Sequence, residues 1–342
     1  MDKNVTNHKC PNCNAGLPFD PEKGLWVCEY CNSEFTLEEL NKSENNTESS
    51  NDANMDLYEC PSCGAQIIAD ENTTATFCVY CKNPAIIKSR LQEKFKPQYV
   101  IPFKTTKEDA IKAFENYKKN KWFIPDEFND PQTIQEITGI NIPFWLYTCD
   151  VDANLSAVAY KIRRWRSGNY RYTKTDTYSI TRKGTMGYNK VPADGSKRFD
   201  DSIMDSIEPF NYSELKDFDY SYLSGFLSEK YDVTEDEAFD RAEDRIENTS
   251  KQKLQSTILG YTTINVNNFT ANINNVSNEY VLLPVWLLNT KYKDKLYPFA
   301  MNGQTGKLIG NIPISIKKLI LKSLFIFLSL DIIIFLIMYL FS

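Results

Sequence analysis

Histidine is almost absent: His8 is the single one in 342 residues. That excludes a His-rich metal site. It also excludes Ser-His-Asp and Cys-His catalysis unless His8, beside the N-terminus, serves as the base. Nucleotide and hydrolase signatures are missing as well. Gly303-Gln-Thr-Gly306-Lys307 has the wrong spacing for a phosphate loop and lacks its hydroxyl. Neither Gly-x-Ser-x-Gly, His-Glu-x-x-His nor Gly-x-Gly-x-x-Gly occurs. Excess positive charge is lacking too: 39 basic residues against 45 acidic ones leave −6, which argues against a protein that coats nucleic acid. The start, Met1-Asp-Lys-Asn-Val-Thr, has no apolar signal segment. What remains is of globular composition, 42% apolar and 25% charged, which excludes wholesale disorder and fibrous classes. The expectation is that the chain is not an enzyme.

Cysteine is where the chemistry lies. Eight of the nine fall as Cys10-x2-Cys13-x14-Cys28-x2-Cys31 and Cys60-x2-Cys63-x14-Cys78-x2-Cys81, the second set displaced by 50 residues at every position. Each set has a Cys-Pro-x-Cys knuckle (Pro11, Pro61), an Ala two residues on (Ala15, Ala65), and a Cys-x-Tyr-Cys knuckle (Tyr30, Tyr80). The pattern is an internal duplication. Two such turns aim four thiolates at one centre, the closed tetrahedral set that structural Zn²⁺ prefers, so two zinc ions are expected. The x14 gap suits a short β-hairpin with Phe19, Trp26 and Phe35 as its apolar face. Disulfides or an iron–sulfur centre are the alternatives, but disulfides need an oxidising compartment. Thiolates fill all four positions of each set, so no place is left for water activation. Residues 1–90 carry 7 basic and 14 acidic side chains, which favours protein contact over nucleic acid. His8 reads as an exposed spectator, and Cys149, the ninth cysteine, as a buried apolar residue.

Ser323–Phe341 is a 19-residue apolar run with one charge, Asp331, and with Lys317, Lys318 and Lys322 before it. Its length and flanks predict a transmembrane helix that keeps the preceding chain in the cytoplasm. Asp331 is either a tolerated polar residue or a contact with another membrane helix, including one from a second copy.

Residues 41–56 have almost no apolar side chain and read as a flexible linker. From Leu91 to Ile314 the chain is long enough for an α+β core. Two stretches there look alike. One has Ile101-Pro-Phe, a helix opening at Thr106, then Ile142-Pro-Phe-Trp-Leu. The other has Glu208-Pro-Phe, a helix opening at Thr234, then Leu283-Pro-Val-Trp-Leu. A duplicated module and shared local chemistry both fit, with Trp145 and Trp286 as core anchors either way. Residues 151–192 alternate as antiparallel strands around a Ser167-Gly168-Asn169 turn. They carry nine basic residues (Lys161, Arg163, Arg164, Arg166, Arg171, Lys174, Arg182, Lys183, Lys190) against two acidic ones. Residues 193–247 hold 17 acidic and 6 basic. The basic face is therefore solvated or self-paired, or it meets anionic lipid, an acidic partner or nucleic acid.

The paired ribbons, Ile142-Pro-Phe-Trp-Leu, Met204-Asp-Ser-Ile-Glu-Pro-Phe-Asn-Tyr-Ser-Glu-Leu-Lys216, Leu223-Ser-Gly-Phe-Leu and Phe299-Ala-Met-Asn-Gly-Gln-Thr-Gly306 together resemble bacterial zinc-ribbon membrane proteins of the YdjG-like type. Some such proteins are labelled helicase-like or transcription-factor-type ribbons. The resemblance implies a membrane-anchored protein of phage-shock-type envelope-stress systems. It brings no catalytic residues, only the eight cysteines as ligands.

The expected architecture is multidomain: zinc ribbon 1 (1–40), linker (41–56), zinc ribbon 2 (57–90), an α+β domain of two related halves (91–314), and a basic flank with a transmembrane helix (315–342). The expected function is a non-enzymatic adaptor that recruits protein partners at the cytoplasmic face of the cell membrane, held there by 318–342. Nucleic acid is a less favoured partner, and self-association through the terminal helix is allowed. The alternative is a membrane-tethered nucleic-acid-binding regulator using the basic face 161–183.

Overall fold

The structure, a computed structural model, describes residues 8–13, 15–44, 55–60, 64–70, 78, 80, 87–90, 96–119, 121–129, 134, 136–293 and 295–340. Strand outweighs helix among them, 42% to 29%. This corrects the expected α+β class: the chain is mostly β-sheet. Three very long strands make the difference: Thr138–Ser167, Tyr170–Asp194 and Thr263–Tyr292, of 30, 25 and 30 residues. Asparagine hides the third, because it is depleted in strands. Asn265, Asn267, Asn268 and Asn272 lie on the exposed side, while Ile264, Val266, Phe269, Ala271 and Ile273 pack inward.

Among the described residues no helix is long and apolar enough to cross a membrane. That overturns the expected transmembrane helix, the single-pass membrane location and the membrane contact through 318–342. The terminal helix, Ile316–Leu340, carries Lys317, Lys318 and Lys322 in its first two turns, before the apolar run, and Asp331 within that run. Its start is tied down by polar contacts. Lys318 donates to the Ile124 carbonyl at 2.7 Å and pairs with Asp126 at 2.6 Å, and Lys322 lies 3.7 Å over the Trp122 ring.

The chain divides into two compact units. One comprises Met1–Ile142, Lys197–Lys230 and Leu282–Ser342; the other comprises Pro143–Ser196 and Tyr231–Val281. In the first, Met55–Glu59 pairs with Gln66–Asp70 and with Ile87–Arg90. Gln66–Asp70 in turn pairs with Leu227–Glu229, so strands of the second cysteine set belong to the unit's sheet. Its core gathers Phe103, Phe114, Phe128, Phe226, Trp286 and Phe299. The expected linker is partly ordered: residues up to Glu44 belong to the Leu37–Glu44 helix and Met55 opens a strand, while 45–54 lie outside the described residues.

The second unit is a long hairpin closed at Ser167↔Tyr170, with Gly168 at φ +58° in its two-residue turn. Val151, Ala153, Leu155, Ala157 and Ala159, every second residue, form its buried face. The Glu235–Ser256 helix belongs to the same unit and buries Ala238, Ala242, Ile246, Ser250 and Leu254, a 3.6-residue stripe.

The same joint recurs once inside each unit, built from equivalent residues. In the second, Gly195 donates its amide to the Pro143 carbonyl at 2.8 Å, and its own carbonyl accepts from Asp232 at 2.9 Å and Val233 at 3.1 Å. In the first, Gly303 donates to Pro284 at 2.8 Å and accepts from Lys104 at 2.9 Å and Thr105 at 3.0 Å. The tryptophan two residues beyond each proline then reaches the residue just before a helix cap. Trp145 donates to the Val233 carbonyl at 3.0 Å, and Trp286 to Thr105 Oγ1 at 2.9 Å. Each helix opens with a reciprocal cap, Thr234 with Glu237 and Thr106 with Asp109. The rings match as well: Trp145 meets Tyr231 edge-on at 5.2 Å, and Trp286 meets Phe103 at 5.1 Å.

The copies are not the successive halves expected. The helix after Thr106 joins the Trp286 strand, and the helix after Thr234 joins the Trp145 strand. Each joint is made from segments of both sequence stretches.

The close approach at the joint needs glycine. A Cβ at Gly303 would lie 2.7 Å from the Phe103 ring and 2.9 Å from Pro284 Cβ, whereas one at Gly195 would meet Tyr231 and Pro143 at 3.2 and 3.3 Å. Gly303→Ala should therefore destabilise the protein by about 1–3 kcal/mol, the usual cost of overpacking. Gly195→Ala should cost less, and urea denaturation of the two variants checks the order.

Candidate metal centre

The first cysteine set folds as its spacing suggests. Phe19–Asp20 pairs with Leu25–Val27, which pairs with Glu34–Phe35. Phe19 and Trp26 are buried and Phe35 half-buried. At the first knuckle the Cys10 amide donates to Ala15 at 2.7 Å, and at the second the Cys28 amide donates to Ser33 at 2.9 Å. Asn32 takes φ 55° where the chain must turn left-handed after Cys31.

These turns bring Cys10, Cys13, Cys28 and Cys31 together, with all four Sγ atoms within 4.8 Å of one another. Cys10 and Cys28 are buried; Cys13 and Cys31 face solvent. The Cys10–Cys31 and Cys13–Cys28 sulfurs are 3.5 and 3.4 Å apart. That is far beyond a disulfide bond of about 2.05 Å. It is close to the edge of about 3.8 Å of a tetrahedron with metal–sulfur bonds near 2.3 Å.

Charge makes the same point. Hydrogen bonds from the Ser33 side chain and backbone, then from Cys10 and Cys13, lower Cys31 to about 6. At Cys13 a backbone bond from Ala15 pulls down, but Cys28, burial, Cys31 and Cys10 together push it up to about 12. Ionising Cys31 therefore works against ionising Cys13. A divalent cation removes that conflict and ionises all four. The donor set fits a metal ion held by four sulfurs, with no water or substrate position.

The second set is seen in part. Cys60 and Cys78 are buried, and Cys63 and Cys81 lie outside the described residues, as does the His8 side chain. What is visible repeats the first set: the Cys60 amide donates to Ala65 at 2.8 Å, as Cys10 does to Ala15 fifty residues earlier.

The two sets differ at their tyrosines, and sequence reasoning missed this. Tyr30 is 82% exposed and Tyr80 only 8%. The Tyr80 hydroxyl donates to Glu229 Oε2 at 2.7 Å, and burial, with the Glu229 charge, pushes its pKa far up. Glu229 is fully buried and pairs with Arg198 at 2.8 Å, and Arg198 also donates to the Gly64 carbonyl at 2.6 Å. Asn289 donates to the Tyr80 carbonyl at 3.1 Å. Nothing local marks Glu229 and Arg198 as partners of residue 80; their separation along the chain hides them.

The first ribbon is fixed by its hairpin instead. The Trp26 indole donates to the Ser221 carbonyl at 3.0 Å, and Phe19 packs edge-on against Tyr222. Its knuckle tips stay open: Pro11, Asn12, Glu29, Tyr30 and Asn32 are exposed.

Cys149 is 3% exposed within the second unit's core, where burial pushes its thiol pKa up. The basic residues Lys161–Lys183 lie on the long hairpin.

No family model matches the chain. It is 40% identical over 314 residues to the uncharacterized protein YdjG of Bacillus subtilis (strain 168), an alignment that covers 92% of each chain. No solved structure matches it.

Two outcomes are expected. Cys28→Ser should remove one equivalent of bound divalent metal per chain, read by elemental analysis of the purified protein. Glu229→Ala should cost about 3–5 kcal/mol in urea denaturation, because it leaves Arg198 buried without its carboxylate.

Proposed function

This chain belongs to the YdjG family, and from that membership and the two ribbons we propose that it is a non-enzymatic adaptor that docks protein partners on its first ribbon. The carrying observation is the split between Tyr30 and Tyr80. One duplicated knuckle turns its tyrosine inward, into a buried carboxylate. The other presents its tyrosine to solvent beside Pro11 and Asn12. An exposed aromatic on a small rigid platform is a typical centre of a protein interface, since it offers large contact area at little entropic cost.

Two structural zinc ions complete the reading. The four-sulfur cluster of Cys10, Cys13, Cys28 and Cys31 supports the first. The fifty-residue repeat and the buried Cys60 and Cys78 support the second, with Cys63 and Cys81 as its remaining ligands. Units this small need such an ion to stay folded. Acidic charge around the ribbons repels phosphate and suits a protein partner. The phage-shock-type stress proteins implied by the resemblance are the first partners to test.

Co-purification with the intact tagged chain provides the test. Tyr30→Ala should abolish partner recovery while metal content and urea midpoint stay unchanged. Tyr80→Phe should lower the unfolding free energy in urea by about 1–3 kcal/mol, through an unsatisfied carboxylate oxygen, and should keep the partner. Undiminished recovery with Tyr30→Ala sinks the proposal.

A further inference from the structure

The long hairpin ends in a free ribbon. Its last bonds to the neighbouring strand are Thr262 N–H to the Tyr160 carbonyl at 2.7 Å and Ile162 N–H to Thr262 Oγ1 at 3.0 Å. From Arg163 to Thr175 every residue is exposed. At about 3.3 Å per residue this tip reaches roughly 15–20 Å. Residues 161–176 carry six cations, Lys161, Arg163, Arg164, Arg166, Arg171 and Lys174, and one anion, Asp176.

Of the readings open for this basic face, self-pairing with the acidic stretch 193–247 is not seen at the tip. Lys174 pairs with Asp176 at 3.2 Å, while Arg163, Arg164, Arg166 and Arg171 have no ion pair among the described residues. The register sharpens the point. Arg163 lies directly opposite Lys174, and Arg166 directly opposite Arg171. Like charges directly opposed destabilise a sheet, and a lone two-stranded ribbon is marginal to begin with. Fold stability does not ask for this arrangement. The Trp165–Tyr172 pair, stacked at 5.5 Å and 13°, offsets part of the cost by clasping the strands.

Strand alternation places the two like-charge pairs on opposite faces. Lys161, Arg163 and Lys174, with Asp176 as the one anion, share one face with Trp165 and Tyr172; Arg164, Arg166 and Arg171 occupy the other. A lipid surface or an acidic helix meets one face of a ribbon. A partner with negative walls on both sides meets two. The major groove of B-form DNA, about 12 Å wide, admits a two-stranded ribbon between two phosphate walls, whereas that of duplex RNA is too narrow.

We infer that the 161–176 ribbon tip enters a groove of double-stranded DNA, its two cationic faces turned to the two phosphate backbones. This second binding activity is independent of the ribbon-docked protein partner. Recognition is of backbone charge and groove shape, so it is insensitive to sequence.

Fluorescence anisotropy with a labelled mixed-sequence 20-base-pair DNA duplex and the intact chain tests it. Six phosphate contacts predict an affinity that falls on the order of 10³-fold between 50 and 200 mM salt. Arg164/Arg166/Arg171→Ala should reduce the salt slope by about half, and Arg163/Lys174→Ala by about a third. These side chains are exposed, so unchanged metal content and circular dichroism show that both variants remain folded. Tyr30→Ala should bind DNA as the parent does. The inference fails if no DNA binds at 50 mM salt, or if only one face's variant weakens binding. It also fails if duplex RNA, phosphatidylglycerol vesicles or poly-glutamate compete more strongly than unlabelled DNA.

Discussion

An indole N–H that reaches across a glycine to the residue before a helix cap is what joins sheet to helix in both units. The geometry allows little variation. The glycine must lack a side chain so that its carbonyl can take two successive amides, and the proline before the tryptophan offers its carbonyl to the same glycine. The reciprocal threonine cap then satisfies the helix's first amides. Every other feature discussed sits on this frame. The first unit's copy shares its core with the first cysteine set, and the second unit's copy supports the strands that run out into the basic hairpin.

Much of that frame was legible in particular residues. Thr106 with Asp109, Thr234 with Glu237, and the two x-Pro-x-Trp strands all stand out in the sequence. Their pairing did not, because a motif reports its own local geometry and not which distant copy completes it. Helix and strand were read together where they are neighbours in sequence, and the fold joins them across 181 residues in one unit and 88 in the other. The Thr263–Tyr292 strand was obscured for a different reason: asparagine on its outer face masks an alternation that burial on the inner face preserves. At the terminal helix hydropathy was weighed over the apolar run alone, whereas the helix of the fold begins at Ile316 with three lysines and carries Asp331 further on.

The metal site was legible because four thiols at fixed spacing leave few other options. The asymmetry between the two cysteine sets was not, because duplicated sequence hides it. Tyr30 and Tyr80 occupy the same place in the same motif, and only partners far along the chain separate them. A buried carboxylate is costly unless paired. Glu229 meets that cost through Arg198 and the Tyr80 hydroxyl, and the tyrosine of the second cysteine set is thereby committed to the interior. Duplication followed by burial of one tyrosine leaves the other exposed, and this is the observation behind the adaptor proposal.

Charge in the hairpin follows the opposite logic. Arg166 against Arg171 and Arg163 against Lys174 repel across a ladder that no third strand supports. The arrangement weakens the element that carries it. A segment selected only to fold would place opposite charges or threonines at those positions, as it does one step on at Lys161 and Asp176. Counting basic residues along the sequence could not separate a solvated face from a binding one. The register adds that repulsion is concentrated at the tip and relieved at the base, and this is the observation from which the DNA contact is inferred.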